Sequence, residues 1–356
     1  MPRKSIEPSH RHVLVLFPGA LGDLLCCWPA LQALRATAAG LTLVAGPAAA
    51  AALPPRRLAL ISIDRREIGD LFAAAPLVAA TRTLLGGHQR VESFTGHGVP
   101  DFARRLAEAS GGVAAVHPSR GMQPGEHATD YYARCFGVVA RRPQLPIAPE
   151  AAAWAAAFWQ RADLGERTLV VHPGSGSAGK NWQGMSAAAT AWRNGGGRVL
   201  MLAGPAEAAA DHAIAHDALL RDASLAQVAA ALARAQRYLG NDSGISHLAG
   251  LVGARGVAVF GDSDPAIWHP HGAVQVVHAP QPCVRCGAGQ LCTHRLPVDA
   301  VLAALAAAGL ASAAARRVCA ELRPTRPRRR AEDPRAWRMP DLAPRSCDVR
   351  PHHPRR

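Results

Sequence analysis

Residues 12–23 read HVLVLFPGALGD. The run His12–Phe17 is apolar without alternation, the pattern of a strand buried on both faces of a parallel sheet. Pro18–Gly22 supplies a turn, and a helix is expected from about Asp23 to Arg35. Strand, glycine turn and helix in that order open a βαβ unit, so an α/β fold is predicted. The apolar stretch Val13–Leu34 is long enough to resemble a membrane anchor, but Pro18, Gly19, Gly22, Asp23 and Pro29 interrupt it. A charge at the centre of a span is costly, so neither a transmembrane helix nor export is expected.

The same rhythm continues outward. Strands are expected at Leu41–Ala45, Leu58–Ile63 and Val113–His117, and helices at Asp101–Ala109 and His127–Phe136. Arg141–Pro149 (RRPQLPIAP) holds three prolines and no amphipathic period, as a connection between domains would. A second series follows, with strands at Thr168–His172, Val199–Ala203, Arg237–Leu239 and Gly256–Phe260. Its helices are expected at Met185–Asn194, Ala206–Leu219, Leu225–Ala235, Ser243–Val252 and Pro297–Ala308. The predicted organisation is a Rossmann-like domain at 12–140, a linker at 141–149, a second Rossmann-like domain at 150–310, and a disordered Arg/Pro-rich tail at 321–356.

Composition narrows the partners. In a chain of 356 residues, 49% are hydrophobic and 19% charged, which suits large buried interiors. The formal charge is +14, but residues 321–356 carry eleven arginines against five acids and residues 1–12 add +2. The folded body is therefore only modestly basic, suited to phosphates or to weak contact with an anionic membrane face rather than to specific nucleic acid. Eight cysteines without a framework spacing read as reduced thiols, hence a cytoplasmic protein.

Four constellations carry chemistry. HPGSGSAGK at His172–Lys180 follows a strand, so backbone amides and the Lys180 ammonium can cradle an anion, with Ser175 inside the loop. Lys4 and Lys180 are the chain's two lysines, which marks Lys180 as a chosen compact charge. Gly174–Lys180 matches G-x-x-x-x-G-K, yet Asn181 stands where a P-loop needs Ser or Thr for Mg²⁺. GNDSGISH at Gly240–His247 joins a strand to a helix whose free N-terminal amides suit a diphosphate, with Asp242 or Ser243 as cap. Gly19–Asp23 brings one carboxylate to a sheet edge, where Asp23 serves either as a general base or as a plain helix cap. Cys283, Cys286, Cys292 and His294 fall within twelve residues, but their spacing matches no common zinc finger, and ordinary thiols are the expectation.

Three segments in this order resemble the ADP-heptose:lipopolysaccharide heptosyltransferases of glycosyltransferase family 9: VLVLFPGALGDLLCCWPALQALR at Val13–Arg35, VVHPGSGSAGKNW at Val170–Trp182, and YLGNDSGISHLAGLVGARGVAVFGDSDP at Tyr238–Pro265. The resemblance implies a GT-B fold, two Rossmann-like domains facing each other across a cleft. It implies an inverting transferase that uses no metal or other cofactor. The donor would be a nucleotide sugar such as ADP-heptose and the acceptor a lipopolysaccharide-type, lipid-linked glycan at the inner membrane face. By it Asp23 matches the catalytic base, Lys180 the phosphate-facing lysine, and Asn241, Asp242, Ser243, Gly244 and His247 the donor turn. Gly19 and Gly22 form the acceptor-side loop. Asn181 replaces a frequent arginine, and Ile68–Met122 holds no recognisable acceptor motif. A nucleotide hydrolase and a non-catalytic nucleotide-sugar or nucleic-acid binding protein are the competing readings.

Overall fold

The computed structural model describes residues 12–53, 58–140, 144–204, 214–278, 293 and 296–308. The first sheet is built from β1 (His12–Phe17), β2 (Gly40–Ala45), β3 (Leu58–Ser62), β4 (Arg90–Ser93) and β5 (Val113–Val116). Helices α1 (Leu21–Thr37), α2 (Pro47–Ala50), α3 (Arg66–Gly69), α4 (Ala79–Leu85), α5 (Phe102–Ser110) and α6 (Ala128–Phe136) accompany it. After α7 (Pro149–Arg161) come β6 (Thr168–His172), α8 (Met185–Asn194), β7 (Arg198–Ala203), β8 (Ala218–Arg221), α9 (Leu225–Arg234) and β9 (Arg237–Asn241). Then follow α10 (Gly244–Leu251), β10 (Arg255–Phe260), α11 (Pro265–Trp268), β11 (Ala273–His278) and α12 (Val298–Ala307).

Both sheets are parallel, in the orders β3-β2-β1-β4-β5 and β11-β10-β9-β6-β7-β8. Strand order reverses at β1 in the first and between β6 and β9 in the second. Ligands of doubly wound sheets bind beyond the strand ends at such reversals. The loops following β1, β6 and β9 are the glycine-bearing segments singled out above.

Burial explains the strands: Leu14, Val15 and Leu16 of β1 and Leu169, Val170 and Val171 of β6 have no exposed surface. Helix boundaries are local chemistry. Pro149 opens α7 at a position that needs no amide hydrogen, and Ser224 with Gln227 forms a reciprocal cap on α9. Gly137, at φ 63°, closes α6 in the left-handed conformation that glycine adopts without strain.

Three expectations need correction. The helix after the first turn begins at Leu21, two residues before Asp23. The predicted helix Ala206–Leu219 cannot reach Leu219, because Ala218–Arg221 pairs with β7 as an edge strand; ladder pairing overrides the helical preference of an alanine-rich run. Strands β4 and β11 and helix α7 were not anticipated. In β4 the polar RVES hides a central strand, since Glu92 is buried against Arg90 (2.6 Å) and His117 (2.6 Å). The positions 1–11, 141–143, 205–213 and 321–356, with Cys283, Cys286, Cys292 and His294, lie outside the described residues.

The two sheets are joined through α1 and α10. The chain between them is tied to both: the Gln144 carbonyl accepts from Trp28 Nε1 (3.1 Å) and Gln32 Nε2 (3.3 Å), and the Leu145 amide donates to Leu251 (3.0 Å). At the crossing, a Cβ on Gly244 would stand 2.9 Å from Leu21 Cβ, and one on Gly22 would stand 3.5 Å from Gly244 Cα. Glycine at these points allows the two helix starts to touch. Among the described residues no helix is long and apolar enough to cross a membrane.

Candidate active site

Asp23 is the third residue of α1, and its Oδ2 accepts the Ala20 N–H at 3.2 Å, closing the helix start. Ala20 has no hydroxyl to return the bond, so the carboxylate alone caps this end. Gly19 packs beneath it, where a Cβ would fall 2.7 Å from Asp23 Cβ and 2.5 Å from the Phe17 ring. A carboxylate accepting one amide retains acceptor capacity, so capping does not preclude proton transfer. Asp23 opens into a cavity of about 240 Å³ walled by Phe17, Phe94 and Tyr132 and edged by Ser119 and Arg120. The three rings meet edge to face at 5.2–5.5 Å, a rigid apolar wall. Burial holds the Asp23 carboxyl above its ordinary range; the Ala20 amide, Arg120 and Lys180 pull it back, and Asp242 pushes it up again.

Across the α1–α10 contact stands the second half. Lys180 ends a short 3₁₀ turn, and its Nζ lies 2.7 Å from Asp242 Oδ2 and 2.8 Å from Ser263 Oγ. Two partners leave the ammonium one further proton to donate. Ser175 holds the loop itself, donating to the Ser177 carbonyl (2.6 Å) or to Asn181 Oδ1 (2.8 Å). Buried Asn241 ties the loop to β9: it accepts from the Trp182 amide (3.0 Å) and donates to the Pro173 carbonyl (2.6 Å). Ser243 is the N-cap of α10, with its Oγ 3.5 Å from His172 Nδ1. Burial pushes the His172 imidazole down to about 4, so it is neutral at pH 7.

The fold therefore draws Asp23, Lys180 and Asp242 into one electrostatic neighbourhood, with Ser243 and Gly244 at the adjacent helix start. Ser175 and Asn241 shape the loop, Gly19 lies under Asp23, and Gly22 meets Gly244. His247 faces α1, its Nδ1 3.5 Å from Cys26 Sγ, in the joint between the sheets. A cavity of about 410 Å³ opens beside the turn, between the tips of β7 and β8 and the start of α9, mostly apolar apart from His172 and Asp222.

Sequence reasoning passed over Ser263, His172, Arg120 and Tyr132. Ser263 and His172 sit inside the quoted family segments and could have been read there. Arg120 and Tyr132 belong to stretches without a motif, and only folding brings them to Asp23. Among the described residues no three His, Cys, Asp or Glu side chains converge as a metal site.

Two parallel sheets of Rossmann order, with a carboxylate at the reversal of one and a lysine-bearing glycine loop beside a helix N-terminus at the reversal of the other, have the architecture of a GT-B fold. Residues 126–288 match the model of glycosyltransferase family 9 (heptosyltransferase), so over this segment the chain is similar to the glycosyltransferases of that family. The fold is shared with the glycosyl transferase family 9 protein from Veillonella parvula DSM 2008, at 19% identity and TM-score 0.70 over 86% of this chain and 99% of that one. It is also shared with E. coli ADP-heptose lps heptosyltransferase II (18% identity, TM-score 0.63, 84% and 98% covered). E. coli heptosyltransferase WaaC with ADP matches at 20% identity and TM-score 0.57, over 83% of this chain and 99% of its own. No curated protein matches the sequence itself.

Proposed function

We propose that this glycosyltransferase moves a heptose or similar sugar from a nucleoside diphosphate, ADP-heptose by family likeness, to a hydroxyl of a lipopolysaccharide-type glycan. The observation that carries the reading is the placing of Asp23 within the field of Lys180 and Asp242. Asp23 takes the proton of the acceptor hydroxyl as its oxygen bonds to the anomeric carbon. The bond to the diphosphate breaks on the opposite face, inverting that carbon, and the diphosphate leaves with the bonding pair. Lys180 and the free amides at the start of α10 stabilise the developing charge, which gives the reaction its positive partner without a metal ion.

The wall of Phe17, Phe94 and Tyr132 suits the apolar face of a sugar ring next to Asp23, and the apolar cavity by β7 and β8 suits a nucleobase. The modestly basic surface fits peripheral contact with an anionic inner membrane face, in the cytoplasm, where lipid-linked acceptors are found. The hydrolase reading has less support. Asn181, at the position of the Mg²⁺-binding hydroxyl, is engaged with Ser175.

Calorimetric titration with ADP, UDP and GDP, with Mg²⁺ and with chelator, tests the proposal. One preferred diphosphate, bound equally well without Mg²⁺ and weakened in Lys180→Ala, is expected. Binding that requires Mg²⁺, together with hydrolysis of a nucleoside triphosphate, would favour the hydrolase instead.

A further inference from the structure

The joint between the sheets contains a histidine network that the proposed chemistry does not use. His127 is the N-cap of α6: its Nδ1 accepts the Thr129 N–H at 3.1 Å. Its Nε2 lies 3.0 Å from the His269 carbonyl oxygen, which can only accept, so Nε2 carries the single proton and the ring is neutral. The Thr129 hydroxyl gives its proton to the Cys26 carbonyl (2.7 Å) and therefore accepts from His271 Nε2 (2.7 Å). Cys26 Sγ in turn meets His247 Nδ1 at 3.5 Å. The His127 ring stands 4.3 Å from that of His269 and 4.8 Å from that of His271. The segment carrying His271 lies directly on α10, since a Cβ on Gly250 would stand 2.0 Å from the His271 carbonyl oxygen.

Thr129 thus links α6 to α1 and to the segment after α11, and both of these partners in turn meet α10. Cys26 lies three residues after Asp23, and His247 three after Gly244, so each end of the network is one helical turn from one half of the site. Both ring nitrogens of His127 are engaged, so it fits this network only as a neutral imidazole. A second proton on His127 Nδ1 would confront the Thr129 N–H at a positive helix end.

The surroundings agree with that geometry. Burial, the largest influence, lowers His127; the hydrogen bond to the His269 carbonyl favours its protonation, the His269 ring opposes it, and Asp130 of α6 favours it again. Burial pushes His271 down to about 4, with His127, His269 and His247 opposing its charge. His247 is likewise held at about 4 by burial, with Asp242 favouring its charge and Lys180, His127 and His269 opposing it. From α1 the facing group is the Cys26 thiol.

We propose that His127 and Thr129 are positioning residues that lock α1, bearing Asp23, to α10, bearing the donor turn, and that acid releases the lock. Only the statement of what the lock aligns rests on the proposed function. The lock is complete above the ordinary histidine value of 6.5. Below it the opened form takes up protons that the closed network refuses, and closure weakens by up to about tenfold per pH unit for each histidine.

Hydrogen–deuterium exchange of segments 127–136 and 269–272, corrected for intrinsic rates, at about pH 7.5 and about pH 5.5 tests this. Wild type is expected to lose protection there at the lower pH. His127→Asn keeps a capping acceptor that cannot be protonated, and its protection should change with pH markedly less. His271→Gln, which keeps a donor, is the second variant and should also flatten the response. His97→Gln, at an exposed site, should leave it intact. Equal protection of wild type at both pH values overturns the proposal, as does an undiminished response in both His127→Asn and His271→Gln. ADP calorimetry on the same samples separates the two readings. A pH-dependent lock without ADP binding upholds the lock and defeats the donor assignment.

Discussion

Lys180 Nζ lies 2.7 Å from Asp242 Oδ2, joining the glycine loop after β6 to the helix start after β9. Asp242 is 8% exposed, so removing its partner leaves a carboxylate with little water to solvate it. Lys180→Ala is therefore expected to weaken diphosphate binding at least about tenfold and to cost about 1–3 kcal/mol of stability, less than a fully buried pair would. Calorimetry and urea denaturation of the one variant measure both.

Asp23→Asn is expected to abolish transfer, by roughly 10²–10⁴-fold, with donor binding retained, because the amide oxygen can still accept the Ala20 N–H but cannot take a proton. The stability effect runs the other way. Burial raises the folded carboxyl above 3.8, so ionised Asp23 costs the folded state at neutral pH, and the neutral amide should unfold at an equal or higher temperature. That advantage should shrink as pH falls through the raised value. Product formation and thermal melts across pH decide both points.

Gly176 and Gly250 separate ligand contact from packing. No atom stands within 4 Å of a Cβ built on Gly176, so Gly176→Ala should be within about 0.5 kcal/mol of wild type in stability while lowering diphosphate affinity. Gly250→Ala would drive a methyl against the His271 backbone and should cost about 1–3 kcal/mol or more. Chemical denaturation alongside ADP titration distinguishes them.

His172 is held at about 4 by burial, below the ordinary 6.5. Its contribution is whole above 6.5 and is lost as pH falls through the interval down to about 4, where the unfolded chain binds a proton that the fold excludes. His172→Gln, whose side chain does not titrate there, should show a shallower loss of stability over that interval, by up to about 1.4 kcal/mol per pH unit. Urea midpoints at several pH values provide the comparison.

Much of this was legible in residue order. The unbroken apolar runs of β1, β6, β7 and β10 announced buried parallel strands, and glycine after β1, β6 and β9 marked the loops that the sheets present at their reversals. Polar Arg90–Ser93 concealed β4, because its charges are paired inside the fold, and the alanine-rich approach to β8 favoured a helix until a neighbouring strand offered its ladder.

Local pattern thus determined the α/β class, the repeated βα rhythm and the glycine-bearing turns on which Asp23, Lys180 and Asn241–Gly244 stand, since each depends on neighbours within a few residues. Tertiary structure alone decided that Arg120 and Tyr132 flank Asp23, that Ser263 holds Lys180, and that His247 faces Cys26 in the joint. Such contacts join positions far apart in the chain. Their energy comes from burial and close packing between helices, and no spacing along the sequence encodes that directly.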